Sequence, residues 1–499
     1  MKKSCVIIGA GIGGLFTGAL LSKNGINVTL LEKNAIIGGG LQCFSRNGKS
    51  FETGMHMVGG LIDGSLKKIC KYLGIYDDLK IHHINSDCRD EIWINNTEER
   101  FRIPSGKENF EKRLISYFPH ESEGIKLYTD EIFRLVEEMP LFSLKSVDDN
   151  NNFSHSETFL WPVDRLINHY VSDPKLRNIL AYLNPLYAGV KQHTPAYIHA
   201  LISVLYINGS SRFIGGAQQL ADALRGVIEQ NDGRVLSCRE VSGIEISDGS
   251  VCAVKTADGG SFSADYYISA IHPAELLHML PAGSLGRAYE NRLKQIPSTA
   301  SAFSVFIDFK PDSFKFIEQT CFYLEESDDV WEIGNSSNND WPNNFLYLTT
   351  RTNNTKNYAE TMIALCLMNW DEVKDWQDSK VGLRDNSYYA WKDRCVEKFL
   401  DKLEKIYPDF RKKIRNIYSA SPLTIRDYYH TKEGSIYGFM KDCENIYLSR
   451  LSTNTKISNL LLTGQNVFLH GMCGVPLTAI ITAEAILGKD TLLNQINGL

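Results

Sequence analysis

The chain opens on a short apolar run, Val6 to Ile8, which breaks at Gly9 and gives way to Leu15, Phe16, Ala19, Leu20 and Leu21 at helical spacing. A short, partly β-branched run without polar alternation fits a strand buried on both faces of a parallel sheet. A second such run, Val28 to Leu31, ends on the acid Glu32. The pattern predicts strand, turn, helix and strand in the first 32 residues. Far downstream, Leu220, Ala223, Leu224 and Val227 form a helical stripe that stops at Asp232-Gly233, and strands broken at Asp248-Gly249 and at Asp258 to Gly260 follow as a meander. Leu460 to Leu462 reads as another buried strand, with a helix beginning near Val475 behind it. The long stretches between mix a helix starting at Pro195, helical patterns in 130–142 and 396–407, and strands in 300–309, 343–350 and 361–369.

The first of these units carries a chemical signature. Gly9, Gly11 and Gly14 give G-x-G-x-x-G, with Gly13 inside it, between a strand and a helix. Gly9 permits the tight turn, Gly11 lets the backbone approach a pyrophosphate, and Gly14 lets helix and strand pack closely. The phosphates would rest on the helix N-terminus, and Glu32 would accept hydrogen bonds from a ribose hydroxyl. This predicts dinucleotide binding, and an acid at the ribose fits NAD and the adenosine half of FAD equally well. The following stretch separates the two. A simple NAD domain would begin its second βαβ unit after Glu32. Here Gly38-Gly39-Gly40, a turn at Asn47-Gly48 and the pair Gly59-Gly60 provide flexible backbone against which a flat group can lie.

"GAGIGGL" with its acid, then "GGG" and "FETGMHMVGG", resemble the FAD-dependent phytoene desaturase superfamily, within it the retinol saturase and carotenoid isomerase branch. Desaturases and amine oxidases usually carry arginine where this chain has Gly40; retinol saturases tend to lack it. The resemblance spans nearly the whole chain and is weaker in the middle. It implies FAD as cofactor, held by Gly9, Gly11, Gly13, Gly14, Glu32, Lys33, Gly39, Gly40, Leu41, Met55 and His56, with the backbone at Val241 beside the adenine. It implies that Gly464, Gln465, Gly474 and Val475 bring a helix N-terminus to the pyrimidine side of the flavin. In "SPLTIRDYYHTKEGSIYG" it implies polar candidates near the flavin, Tyr428, Glu433 and Tyr437. The catalytic candidates are His56, Tyr428 and Tyr437. His272 reads as a loop or helix-start histidine.

Composition bounds the rest. The 499 residues exceed one simple core, and the chain divides into a discontinuous Rossmann-like FAD-binding domain (1–75, 210–290, 450–499) and an inserted α+β substrate domain (76–209, 291–449). This is an α/β class with a parallel sheet and a β-meander. A net charge of -6 argues against a nucleic-acid partner, and the basic cluster Arg411, Lys412, Lys413 and Arg415 reads as a solvated helix face. Eleven cysteines without C-x-x-C or zinc spacing read as reduced thiols, and no metal site is expected. No run approaches 18 apolar residues, and the apolar start is a strand rather than a signal peptide. The expectation is a cytoplasmic protein with possible peripheral membrane contact. No second G-x-G-x-x-G unit is evident in the insertions, so the electron donor or acceptor is a separate partner. The expected activity is saturase-like reduction of a carbon–carbon double bond in a hydrophobic polyene. Isomerisation or desaturation on the same scaffold is the alternative. Flavin amine oxidation and non-catalytic prenyl binding of the Rab GDP-dissociation-inhibitor kind are more distant readings.

Overall fold

The computed structural model describes residues 2–95, 99–146, 155–325, 330–351, 357–445 and 450–498. The apolar runs form strand β1 at Ser4–Ile8 and strand β2 at Asn27–Leu31, joined by helix α1 at Ile12–Lys23. β1 pairs in parallel with β2 on one side and with Tyr266–Ser269 on the other. Arg234–Leu236 and Leu460–Leu462 complete a five-stranded parallel sheet. Three segments far apart in sequence therefore meet as neighbouring strands. α1 is buried from Gly13 to Ser22, which is why it has no polar face. It packs between the helices Gln218–Gln230 and Gly471–Leu487. Leu15, Phe16, Leu20, Leu30 and Ile480 are fully buried there, each worth about 1.5–3 kcal/mol of apolar burial.

The meander follows as Val241–Ser247, Ser250–Thr256 and Ser261–Phe262. Asp248 and Gly249 take φ of 51° and 76°, the left-handed pair that joins a two-residue hairpin. Asn47 and Gly48, at 50° and 75°, make the same turn between Cys43–Arg46 and Lys49–Glu52.

The two insertions jointly build one seven-stranded sheet, in the order 414–420, 301–309, 361–368, 344–350, 320–324, 90–94, 100–103. Its second strand, Ser301–Phe309, is buried throughout. Side chains alternate across a strand. Phe303 and Val305 accordingly pack with Phe399 and Leu403 of the helix Asn386–Ile406, and Ala302 and Ser304 face a cavity on the other side.

Two expectations need correction. The helix placed near Val475 begins at Gly471, so Gly474 lies within it. A Cβ on Gly474 would sit 2.5 Å from Leu469 Cβ; this glycine serves close packing of the first turn rather than a loop. Of the basic cluster, only Arg411, Lys412 and Lys413 are helical; Arg415 lies on the strand Ile414–Ala420 and pairs with Asp308 at 2.8 Å. The amphipathic stretch 130–142 is a core element, with Ile132, Leu135, Val136, Met139 and Leu141 buried. Cys5 and Cys473 are likewise buried. Among the described residues, no helix is long and apolar enough to cross a membrane.

One buried titratable group makes stability depend on pH. His199, on the helix Ala196–Ile207, is fully buried between the Tyr128 and Tyr187 hydroxyls, at 2.7 Å and 3.0 Å from its two ring nitrogens. Burial lowers its pKa to about 3. Because the unfolded chain takes up this proton first, its contribution is complete above about pH 6.5 and is lost as pH falls toward the folded pKa, by about 1.4 kcal/mol per unit. The melting temperature should drop steadily from pH 7 to pH 4.5 in calorimetry. A value unchanged over that range contradicts the assignment.

Candidate functional site

A cavity of about 480 Å³ runs along the C-terminal edge of the parallel sheet and under the seven-stranded sheet. Its first wall is the strand–turn–helix unit. α1 has Gly11 at its N-cap, with no side-chain cap and no acid in its first turn, and Gly11, Ile12 and Gly13 line the cavity. The first N–H groups of a helix have no partner within it, so this end is built to receive an anion. The glycines divide the work. A Cβ on Gly14 would lie 2.0 Å from the Gly9 carbonyl oxygen, and one on Gly13 would lie 2.9 Å from Gly464 Cα. A Cβ on Gly11 would meet nothing within 4 Å. Gly13 and Gly14 are therefore demanded by packing, and Gly11 by whatever enters the cradle.

Glu32 closes the unit. Its Oε2 accepts from the Ala10 N–H and its Oε1 from the Asn34 N–H, both at 2.8 Å, which fixes the carboxylate and leaves each oxygen a further lone pair. The Glu32 N–H donates to Leu236 O at 2.9 Å, and the Arg239 N–H to Glu32 O at 2.7 Å. These bonds carry the chain to Val241, the first residue of the meander, at the cavity wall. Lys33 Nζ lies 3.6 Å from Glu240 Oε1 and 3.0 Å from His430 Nδ1. An uncapped helix start, an open glycine and a fixed carboxylate at the next strand end fit the pyrophosphate and ribose of FAD.

The other predicted cofactor residues Gly9, Gly39, Gly40, Met55, His56, Gly464, Gln465, Gly474 and Val475 also line the cavity. Gly14 and Leu41 do not; Leu41 is fully buried in the core beneath the glycine turn. His56 is nearly buried, with Nδ1 unpartnered and 3.6 Å from Glu52 Oε2, too long for a hydrogen bond. The Tyr437 hydroxyl donates to Pro185 O at 3.3 Å, and burial raises its pKa. Tyr428 sits at the rim, 53% exposed, and Glu433 is exposed and outside the lining.

The inward tyrosine of the pair is Tyr429. Both lie on the helix Pro422–Tyr429, where consecutive side chains point about 100° apart. Both border the cavity, but one is packed inside and the other stands at the rim, and the sequence alone does not say which. Tyr429 donates to Thr53 Oγ1 at 3.0 Å and fits over Gly54, whose Cβ would lie 2.6 Å from its hydroxyl. Burial pushes its phenol up to about 12. Tyr429→Phe should cost about 1 kcal/mol, and Tyr428→Phe less than about 0.5 kcal/mol, in chemical denaturation. Equal losses would contradict this division.

Two cavity histidines start helices. His272 caps the helix Pro273–Met279, its Nδ1 accepting from the Ala274 N–H at 3.2 Å, and burial lowers its pKa to about 4. This is the helix-start role read from the sequence. His470, which sequence reasoning passed over, precedes the helix Gly471–Leu487 without capping it. Its only signal was its position immediately before Gly471.

The family described as "Flavin containing amine oxidoreductase" matches residues 12–487. The all-trans-retinol 13,14-reductase of Macaca fascicularis is 24% identical over 527 residues, covering 98% of this chain and 86% of that protein. The chloroplastic prolycopene isomerase 1 of an Oncidium hybrid cultivar is 24% identical over 513 residues, covering 96% and 83%. The crystal structure of an oxidoreductase from Methanosarcina mazei superposes with a TM-score of 0.65 at 18% identity, over 96% of this chain and 100% of that one. At that identity the likeness is one of fold. With the family match running from the first residue of α1 to the last of the helix Gly471–Leu487, the chain belongs to the flavin-containing amine oxidoreductase family and is an FAD-dependent oxidoreductase.

Proposed function

We propose that the chain reduces a carbon–carbon double bond in a hydrophobic, conjugated isoprenoid, a reaction of the kind for which the retinol 13,14-reductases are named. One observation carries this reading. Beyond the dinucleotide cradle, the cavity wall is mostly apolar, with Phe142, Leu186, Ile198, Leu201, Leu205, Leu346 and Leu365. The carboxylates among its lining residues are Glu32, Glu240 and Glu275. Glu32 and Glu240 belong to the ribose cluster around Lys33, and Glu275 follows His272 in the first turn of its helix. None of the three lies in the apolar wall, where an ammonium group would need an acid. Such a wall suits a neutral, elongated substrate better than an amine.

FAD, when bound, supplies the hydride chemistry. The chain's own residues bind, orient and protect. The uncapped start of α1 and Gly11 hold the pyrophosphate, and Glu32 holds the ribose. The N-terminus of the helix Gly471–Leu487 favours negative charge at the flavin's pyrimidine edge. The apolar wall would exclude water and hold the substrate's double bond within the cavity. His56, with Nδ1 turned toward Glu52, is the candidate proton donor to the second carbon; the Tyr437 hydroxyl is the alternate donor. Electrons come from a separate partner. A water-insoluble substrate also requires contact with a bilayer or carrier, and the buried segment around Ile132 and Leu135 does not provide it.

Extraction of the purified holoprotein followed by mass spectrometry tests the substrate class. The expected finding is a co-purified conjugated isoprenoid, or its dihydro product. Turnover of simple amines with release of hydrogen peroxide would contradict the reading.

A further inference from the structure

We propose that His470 is a cofactor-contacting residue, presenting its imidazole Nε2 to a polar edge of the FAD ring as a hydrogen-bonding partner. His470 lines the cavity, is 7% exposed, and its Nε2 has no partner among the described residues. A buried polar atom without a partner is costly and rare, so an unpaired one on a residue that lines a binding cavity points to a ligand.

Its surroundings narrow the ligand. The residues that follow it, Gly471 to Val475, form the first turn of a 17-residue helix and all line the cavity. His470 occupies the N-cap position, yet its side chain makes no capping bond. His272, at the corresponding place on its own helix, spends Nδ1 on the Ala274 N–H. The His470 imidazole is thus not explained by its helix. The Tyr437 ring packs against it with centroids 4.9 Å apart, which limits its rotation.

The cradle fixes which part of FAD comes this way. The ribose cluster gathers at Glu32 and Lys33, and the phosphate glycines reach Gly464 through Gly13. The chain then runs from Gly464 to His470 along the cavity, so the remaining half of the cofactor, its redox ring, extends toward this helix. Burial, with Lys441 adding to it, lowers the His470 pKa to about 3. A neutral imidazole can donate or accept at Nε2, which suits a ring edge that alternates carbonyl oxygens and N–H groups.

The test titrates FAD into the cofactor-free full-length protein and measures the oxidised-to-reduced equilibrium of the loaded protein against a reference dye. His470→Phe keeps the ring and removes both nitrogens; His470→Gln keeps a hydrogen-bonding group. The Phe variant should weaken FAD binding, or shift the dye equilibrium, by about tenfold or more, and Gln should stay within about threefold of the parent. A Phe variant that matches the parent in affinity, visible spectrum and dye equilibrium overturns the proposal. Should Phe not fold, His470→Ala is titrated with and without added imidazole. Recovery of FAD affinity supports the proposal, and its absence overturns it. Neither readout uses an isoprenoid, so failure of the proposed reaction would leave this result standing.

Discussion

Gly11→Ala should fold like the parent protein and lose its FAD, whereas Gly14→Ala should destabilise the fold itself. The two positions lie three residues apart in one motif, and the structure separates their roles. At Gly14 an added methyl would lie 2.0 Å from the Gly9 carbonyl oxygen, so α1 must move off the strand turn. Backbone that must shift in a packed core costs about 3 kcal/mol or more. The expected outcome is a lower melting temperature of the cofactor-free protein and poor recovery of yellow protein. At Gly11 the methyl meets nothing in the protein and projects into the cradle. There it would displace the pyrophosphate from the α1 N–H groups. Losing two charge-assisted hydrogen bonds of about 1.5 kcal/mol each weakens binding by about 100-fold. Melting of the cofactor-free variant should be unchanged, while FAD titration should show the loss. A Gly11→Ala protein that binds FAD normally would mean that the pyrophosphate does not lie there.

The second large effect is on turnover. His56→Ala and His56→Phe should each slow turnover by about 10²–10⁴-fold, the usual contribution of a positioned acid. FAD should remain bound and its visible spectrum unaltered. Tyr437→Phe should have the smaller effect, because its hydroxyl is already engaged by Pro185 O. Rapid-mixing measurement of the single turnover separates this step from product release. His56→Phe turnover within about threefold of the parent would remove His56 from the chemistry and leave Tyr437 as the donor to examine.

The sequence disclosed the parts of the molecule whose signals are local. The β1–α1–β2 unit was legible because apolar runs, glycines and the acid all fall within 30 residues, and each reports on the same turn. The meander was legible because Asp-Gly pairs mark its hairpins. The seven-stranded sheet was only partly legible. Its strands 301–309, 344–350 and 361–368 carry long apolar runs, but Asp90–Ile94 and Arg100–Ile103 are short and charged. Asp90–Ile94 is a strand because it pairs in parallel with Thr320–Leu324, more than 200 residues away. No local pattern records such a partner. The start of the helix at Gly471 was missed because Gly471 and Gly474 read as loop, while in the structure the bare backbone of Gly474 accommodates Leu469. At the site, the cradle residues were legible through their motif. The choice between Tyr428 and Tyr429 was not, because helix rotation decides it. His470 was not, because an unpartnered ring nitrogen is a property of packing.

The most direct test of the account is an anaerobic single turnover of the FAD-loaded enzyme with a conjugated isoprenoid, run once with the cofactor chemically reduced and once with it oxidised. Product mass and absorption spectrum are the readouts. The account predicts reaction only with the reduced form, a product two hydrogens heavier, and a longest absorption band moved to shorter wavelength. A product of unchanged mass would mark an isomerase, and a product two hydrogens lighter, formed by the oxidised enzyme as its flavin bleaches, would mark a desaturase. Either outcome would contradict the proposed direction.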